Sequence, residues 1–157
     1  MPSTPRTSAG LLVYRRRADG VEVLLGHMGG PFWAKKDAGA WSIPKGEPLD
    51  GEDLFTTACR EFTEELGLPP PTGEVRELGT VRQSGGKVVT AWAVEGDLDP
   101  ADVVPGTFPV EWPPRSGRLR EFPEVDRVAW LRPEVAREKL VRAQVSFLDR
   151  LEEALGR

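Results

Sequence analysis

A group of acidic residues with helical spacing lies near the middle of this sequence. Arg60 is followed at once by Glu61, and Glu64 and Glu65 come three and four residues after Glu61. Glu52 stands eight residues before the arginine. On a helix, residues at i, i+3 and i+4 share one face, where like charges repel by roughly a few tenths of a kcal/mol per pair. The spacing therefore indicates a helix face suited to a positive charge.

Carboxylates arranged in this way are the ligands expected for a hard divalent cation. The acids have no lysine beside them in the sequence, so a bound cation is the natural source of neutralising charge. Ligand sets made only of oxygen favour Mg²⁺ or Mn²⁺, and Mg²⁺ commonly works together with substrate phosphates. The residues thus predict metal-assisted attack on a phosphate group. The alternative interpretation is a solvated acidic helix face.

The segment from Gly46 to Leu68 matches a known motif at every fixed position. It resembles the Nudix box, G-x5-E-x7-R-E-U-x-E-E-x-G-U, in which U is a bulky apolar residue. The matching residues are Gly46, Glu52, Arg60, Glu61, Phe62, Glu64, Glu65, Gly67 and Leu68. From average residue usage, a chance match in a chain of this length is on the order of one in ten million. The resemblance implies an α/β fold of the Nudix type, an α/β/α sandwich with a mixed β-sheet.

The resemblance also implies roles for residues inside the box. Glu61, Glu64 and Glu65 are expected to bind Mg²⁺ or Mn²⁺, and Glu61 is in addition a candidate for the general base that takes a proton from water. Backbone atoms at Gly46 are expected to approach the metal, where a side chain would intrude. The alternative for this position is an ordinary turn glycine.

Further candidates for the catalytic site lie within the box and around it. Glu52 is expected to support the ligands, or to act only as an acid near a helix N-terminus. Arg60 is expected to orient a glutamate of the box through its planar fork, so that lysine is no equivalent replacement. Glu124 resembles an extra carboxylate supplied from outside the box, with Glu121 in reserve and a surface acid as the alternative. Lys45 is a candidate for substrate binding through phosphate, or else a lysine exposed to solvent.

The composition is that of one globular domain over residues 1–157, with residues 1–7 expected to be flexible. The chain is 39% hydrophobic and 29% charged. Its net charge of −4 leaves no basic footprint for duplex nucleic acid. No apolar run approaches the ~18 residues that a membrane span needs, and the N-terminus lacks the apolar core of a signal peptide. These features predict a cytoplasmic protein, and they leave monomer and homodimer open.

Hydrophobic patterns predict the elements that must position these residues. Predicted strands cover residues 8–16, 21–28, 41–44, 75–83, 87–95 and 125–131. A helix is expected over roughly 51–66, capped at its start by Asp50 and at its end by Gly67. The proline-rich stretch 97–120 is expected to be a long connection, and Pro133 to start a C-terminal helical region.

The single histidine and three of the tryptophans lie outside the box. His27 follows a strand-like segment and is expected to be a polar residue on an edge strand, with a role as metal ligand or base as the alternative. Trp33, Trp41 and Trp112 lie in or beside predicted loops, so they are candidates for stacking on a nucleobase.

The predicted partner is a small-molecule nucleotide. As the resemblance implies, the substrate is a nucleoside diphosphate linked to a second group, and water attacks phosphorus in line. The Pro44-Lys45-Gly46 variant is similar to that of dinucleoside polyphosphate hydrolases, and nucleoside triphosphates are the other substrates considered. The alternative is a non-catalytic nucleotide-binding or sensor module on the same fold.

Overall fold

A computed structural model describes residues 6–156 of the chain. Of the segment expected to be flexible, residues 1–5 lie outside the described residues. Thr7 already begins the first strand, and the carbonyl of Arg6 accepts a hydrogen bond from the N–H of Val88 at 2.8 Å. No helix in the described part of the chain is long and apolar enough to cross a membrane.

The described residues form two β-sheets. The strands are β1 (Thr7–Arg17), β2 (Gly20–Met28), β3 (Trp41–Ser42), β4 (Lys45–Gly46), β5 (Val75–Arg82), β6 (Val88–Glu95), β7 (Thr107–Glu111), β8 (Leu119–Pro123) and β9 (Val125–Leu131). The larger sheet has the order β3-β2-β1-β6-β5, with β4 paired to β1 and β9 paired to β2. Strands β1 and β6 run parallel and the other pairs of this sheet are antiparallel, so the sheet is mixed.

Helices cover both faces of the larger sheet. They are α1 (Leu54–Leu66), α2 (Pro133–Lys139) and α3 (Val145–Ala154). Strand β1 shows the layering, because Leu11 and Val13 pack in the cluster that includes residues of α1, while Leu12 and Tyr14 pack in the cluster that includes residues of α2 and α3. A strand buried on both faces has a nearly continuous apolar sequence, as β1 does. The arrangement is the α/β/α sandwich that the sequence predicts.

Helix α1 carries the box residues and begins later than the sequence suggests. The N-cap is Asp53, whose carboxylate accepts the backbone N–H of Thr56 at 3.1 Å, so the prediction of Asp50 is wrong. The first turn starts only after a turn at residues 50–51, which leaves Asp50 outside the helix. Gly67 ends the helix with a φ of 70°, as expected. Ala58 and Phe62 bury one side of α1 against the sheet.

A two-stranded hairpin interrupts the connection that the sequence predicts as structureless. Strands β7 and β8 pair in register from Thr107 with Pro123 to Glu111 with Leu119. Pro109 is tolerated because each strand of an isolated ribbon has an outer edge that needs no ladder hydrogen bond. The hairpin runs directly into Glu124, and so it positions a candidate residue of the site.

His27 lies inside the sheet and is not on an edge strand. Strand β2 is paired to β1, β3 and β9, and the side chain of His27 is 0% exposed. Its Nδ1 lies 2.7 Å from the Asp126 carboxylate, and its Nε2 lies 2.6 Å from the carbonyl oxygen of Lys36. The expectation of an edge position was wrong because β3 and β9 both pair with this end of β2. The histidine instead ties the loop after β2 to β9.

Candidate active site

Three carboxylates from two distant parts of the chain converge beside the C-terminal half of helix α1. They belong to Glu61 and Glu65 of the helix and to Glu124, which stands between β8 and β9. One oxygen of each lies within 4.8 Å of an oxygen of each of the others. Glu65 is only 9% exposed, and the other two are half-buried. Such a group is electrostatically unfavourable unless a proton or a cation joins it.

Burial and mutual repulsion raise the pKa of all three acids. Burial, and then the charge of Glu124, raise the pKa of Glu65 well above its usual range. Burial, followed by the charge of Glu64, raises the pKa of Glu61. Burial, followed by the charge of Glu61, raises the pKa of Glu124. The site therefore holds negative charge at a cost that a divalent cation would remove.

The donor set fits the cation that the sequence predicts. The converging groups are all carboxylate oxygens, which are the ligands that Mg²⁺ and Mn²⁺ prefer. Oε2 of Glu65 accepts the backbone N–H of Lys45 at 2.7 Å, and its other oxygen takes no hydrogen bond from the residues that the structure describes. One oxygen of this buried side chain is thus anchored and the other remains available to a metal.

Glu64 lies beside the cluster rather than in it. Its side chain is 53% exposed, and its Oε1 accepts Nη1 of Arg60 at 3.1 Å. Its charge still reaches the cluster, since it contributes to the raised pKa values of Glu61 and Glu124. Helical spacing alone suggested three equivalent ligands, whereas the structure brings Glu124 into the place beside Glu61 and Glu65.

Arg60 donates to five acceptor oxygens of four residues with one guanidinium group. Its Nε and Nη2 donate to the two carboxylate oxygens of Glu52 at 2.9 and 2.8 Å. Its Nη1 donates to Glu61 at 3.0 Å and to Glu64 at 3.1 Å, and Nη2 also reaches the carbonyl of Glu47 at 3.1 Å. The planar fork thereby fixes one oxygen of Glu61 next to the cluster.

Glu52 contacts the arginine and not the three converging carboxylates. The hydrogen bonds from Arg60, and then the one from the Thr57 hydroxyl, lower the pKa of Glu52 to about 2. The Thr57 hydroxyl donates at 2.7 Å and the backbone N–H of Leu49 donates at 3.1 Å. Glu52 is therefore positioned to hold Arg60, which in turn holds Glu61.

Gly46 is the point where strand β4 comes closest to the acids. It pairs with Ala9 of β1, and a Cβ atom at this position would lie 2.1 Å from the carboxyl carbon of Glu61. No side chain can occupy that space while Glu61 keeps its position. The close approach of Glu61 therefore requires glycine at this position, which the alternative of an ordinary turn would not explain.

Lys45 precedes this glycine and is a half-buried lysine. Burial lowers the pKa of its ammonium group, while the charge of Glu65 opposes the shift. The ammonium forms no ion pair with residues 6–156. It is therefore a cation close to the acids that is left without a carboxylate partner of its own.

Sequence reasoning missed the residues that hold Glu124 in place. The backbone N–H of Gly29 donates to the carbonyl of Glu124 at 3.0 Å, and the N–H of Glu124 donates to the carbonyl of Gly106 at 2.8 Å. A Cβ at Gly29 would lie 1.8 Å from the carbonyl oxygen of Pro123, which explains the glycine. The adjacent glycines at positions 29 and 30 were the sequence feature that could have indicated this close backbone contact. The reserve candidate Glu121 lies exposed within β8 and is not among the converging acids.

Comparison with known proteins is consistent with this geometry. A family model described as the NUDIX domain matches residues 4–151. A search of curated proteins finds no match. The chain is similar to a C. elegans Ap4A hydrolase in a binary complex, with a TM-score of 0.66 and 24% identity over 96% of this chain and 98% of that chain.

Two further solved structures are similar over nearly the whole chain. One is the NUDIX domain of Shewanella oneidensis NrtR complexed with ADP ribose, with a TM-score of 0.67 and 17% identity over 98% of this chain and 90% of that chain. The other is a MutT protein from Methanosarcina mazei Go1, with a TM-score of 0.64 and 21% identity over 100% of both chains. At these identities the likeness shows the fold, and the predicted sandwich is confirmed.

Proposed function

This chain belongs to the Nudix family and is an enzyme of the pyrophosphohydrolase type, and from that premise we propose that it hydrolyses a nucleoside diphosphate linked to a second moiety, with Mg²⁺ or Mn²⁺ as cofactor. The observation that carries the proposal is the convergence of Glu61, Glu65 and Glu124 within 4.8 Å. The substrate class is a dinucleoside polyphosphate or a nucleoside triphosphate, which the Pro44-Lys45-Gly46 variant favours. The structural likeness to an Ap4A hydrolase supports testing dinucleoside polyphosphates first.

The proposed ligand set draws on both the helix and the hairpin. Glu61, Glu65 and Glu124 would hold the cation, together with Glu64, whose charge already acts on the group, and backbone atoms at Gly46. When bound, the cation neutralises charge on the phosphoryl oxygens and lowers the pKa of a bound water. The raised pKa values of the acids support this role, because a cation removes the repulsion that raises them.

The remaining proposed roles are transfer of the proton of the attacking water, orientation of Glu61 and binding of a phosphate oxygen. The attacking water gives its proton to a carboxylate of the group, and Glu61 and Glu124 are the candidates for this base. Arg60 keeps Glu61 oriented through its Nη1 hydrogen bond and is itself held by Glu52. The half-buried ammonium of Lys45 is proposed to bind a phosphate oxygen, an anion that would replace the carboxylate partner it lacks.

A substrate screen tests the proposal directly. Purified protein is incubated with diadenosine tetraphosphate, ATP, ADP-ribose and a nucleotide sugar, each with Mg²⁺ and with Mn²⁺, and the products are separated to identify the bond that is cut. We expect metal-dependent release of a nucleoside phosphate from at least one of them. Tight binding without any turnover would instead identify the non-catalytic nucleotide-binding or sensor module.

Substitutions in the acidic group connect turnover to these residues. Glu61→Gln, Glu64→Gln and Glu65→Gln are each expected to lower kcat by at least about 100-fold, a loss near 3 kcal/mol of transition-state stabilisation. The matched control is Glu74→Gln, which removes an exposed carboxylate paired with Arg76. Unchanged turnover in the Glu61 and Glu65 variants would overturn the assignment of the cation site.

A further inference from the structure

An aromatic pair, exposed Phe32 and half-buried Trp112, lies on the two segments that contact Glu124. Phe32, in the loop between β2 and β3, is 62% exposed, although large apolar side chains are normally covered. Its ring centroid lies 5.8 Å from that of Trp112, with an angle of 83° between the rings. Neither residue belongs to the two hydrophobic clusters of the described chain. The pair therefore contributes to neither core.

The other loop tryptophans have structural partners. Trp41 is 5% exposed within the core, and Trp33 packs against the same cluster. Trp112 differs from both, because it follows β7 at the outer part of the hairpin. In an edge-to-face contact, each ring keeps at least one face that its partner does not cover. Phe32 and Trp112 consequently offer a planar surface to a planar ligand.

The two segments that carry this pair meet at Glu124. Gly29 donates to the carbonyl of Glu124, and Phe32 follows only three residues later, so their Cα atoms are at most about 11 Å apart. On the hairpin side, the carbonyl of Gly106 accepts the N–H of Glu124. The ring of Phe108 lies 3.0 Å from the place that a Cβ of Gly30 would occupy. The loop that carries Phe32 and the hairpin that carries Trp112 therefore both contact the backbone of Glu124.

Several lysines and arginines lie on the same two segments of the chain as the aromatic pair. The residues are Lys35, Lys36, Arg115, Arg118 and Arg120, and none of them forms an ion pair with another residue in the range 6–156. The protein as a whole carries a net charge of −4. These cations, which stand beside the carboxylates of Glu111 and Glu121 on the hairpin, can attract the phosphates of a polyanion.

We propose that Phe32 and Trp112 form the binding surface for a nucleobase of the substrate whose phosphates lie at the carboxylate group. This inference rests on the proposed function and adds to it the residues that recognise the base. Every nucleobase presents a π-face, so stacking gives affinity without requiring one particular base. The unpaired lysines and arginines contact the phosphate chain and do not select the base.

Equilibrium binding of two matched probes tests the proposal. The probes are ADP and inorganic pyrophosphate, both with Mg²⁺, measured by calorimetry on wild-type protein and on Phe32→Leu, Trp112→Leu and the double variant. Leucine keeps an apolar side chain and removes the π-face. We expect the Kd for ADP to rise about tenfold in each single variant, equivalent to 1.4 kcal/mol at 25 °C, while the Kd for pyrophosphate stays unchanged.

Conservative and distant substitutions separate stacking from a structural effect. Phe32→Tyr keeps the ring and should bind ADP as the wild type does. Val75→Ala removes an apolar side chain that is 45% exposed on β5, and it should change neither Kd. With the substrate found in the screen, the leucine variants should raise KM and leave kcat within about twofold, the signature of lost uniform binding.

The outcomes distinguish this inference from the proposed function. An unchanged Kd for ADP in the double variant would overturn the nucleobase site, whether or not the protein hydrolyses nucleotides. A parallel rise in the Kd for pyrophosphate would also overturn it, because the pair would then act on the phosphate site. Failure of every substrate in the screen would overturn the proposed hydrolysis alone, since binding of ADP is measured without turnover.

Discussion

The backbone N–H of Lys45 donates a hydrogen bond to Oε2 of Glu65 at 2.7 Å. This bond joins strand β4 to helix α1, and it positions a carboxylate that is only 9% exposed. The same contact brings the half-buried ammonium of Lys45 and the glycine that follows it to the acidic group. The proposed metal ligation and phosphate binding therefore depend on the docking of one short strand against one helix.

Replacing Glu65 by glutamine should stabilise the metal-free protein at neutral pH. Burial raises the pKa of Glu65 well above its usual range, so the stability it contributes is present below its unfolded pKa and is lost as pH rises through the folded pKa. Glutamine keeps an acceptor for Lys45 and carries no charge. Thermal unfolding in EDTA should give Glu65→Gln the higher midpoint at neutral pH and a similar midpoint below about pH 4, near the unfolded pKa of a glutamate.

Added Mg²⁺ should give the wild type a higher thermal unfolding midpoint than Glu65→Gln at neutral pH. Wild-type protein gains stability in proportion to the logarithm of the metal concentration, whereas the variant gains little. A Glu65→Gln protein that is less stable than wild type in EDTA at neutral pH would contradict the prediction.

Gly46→Ala should displace Glu61. The added Cβ would lie 2.1 Å from the Glu61 carboxyl carbon, and overpacking of this kind costs about 1–3 kcal/mol. Chemical unfolding should show that loss, and kcat should fall at least about tenfold because the carboxylate leaves the group. In a Glu61→Ala background the space is free, so the same substitution should cost much less stability. Equal losses in both backgrounds would show that the clash is not with Glu61.

Arg60→Lys should lower activity although the charge is retained. A single ammonium cannot reproduce the contacts that the fork makes with Glu52, Glu61 and Glu64. We expect kcat to fall by about 10- to 100-fold with little change in KM, because the substitution disturbs a ligand and not the substrate contacts. Arg6→Lys is the control, since Arg6 makes an exposed ion pair with Glu47. Equal activity of the two variants would argue against the positioning role.

Glu52→Gln should weaken the loss of stability in acid. Hydrogen bonds from Arg60 and Thr57 lower the pKa of Glu52 to about 2, so its contribution is present above the usual pKa near 4.5 and is lost as pH falls towards 2. The free energy of unfolding should therefore fall more steeply between pH 5 and about 2 for wild type than for the variant. Thr57→Val, which removes the second cause of the shift, should give an intermediate slope. Identical slopes for wild type and Glu52→Gln would contradict the assignment.

Local patterns were sufficient for the family, the fold and most element positions. The Nudix family and the sandwich are confirmed, and the strand expected at residues 125–131 is β9. Helix α1 was predictable because its apolar stripe and its acids follow the 3.6-residue period that any helix imposes. The start of the helix was not predictable from the sequence. Asp50 and Asp53 are both good N-cap residues, and only the folded loop selects Asp53. The roles of the candidate site residues stay predictions.

The sequence by itself determined that Glu61, Glu64 and Glu65 share a helix face, because that relation depends only on helical pitch. The tertiary structure alone decided which acids meet. Glu124 joins Glu61 and Glu65 through the β7–β8 hairpin and the hydrogen bond from Gly29, while Arg60 draws Glu64 to the side. The contacts of Glu124 join residues far apart in the chain. Their geometry follows from strand pairing and packing, which no local spacing specifies.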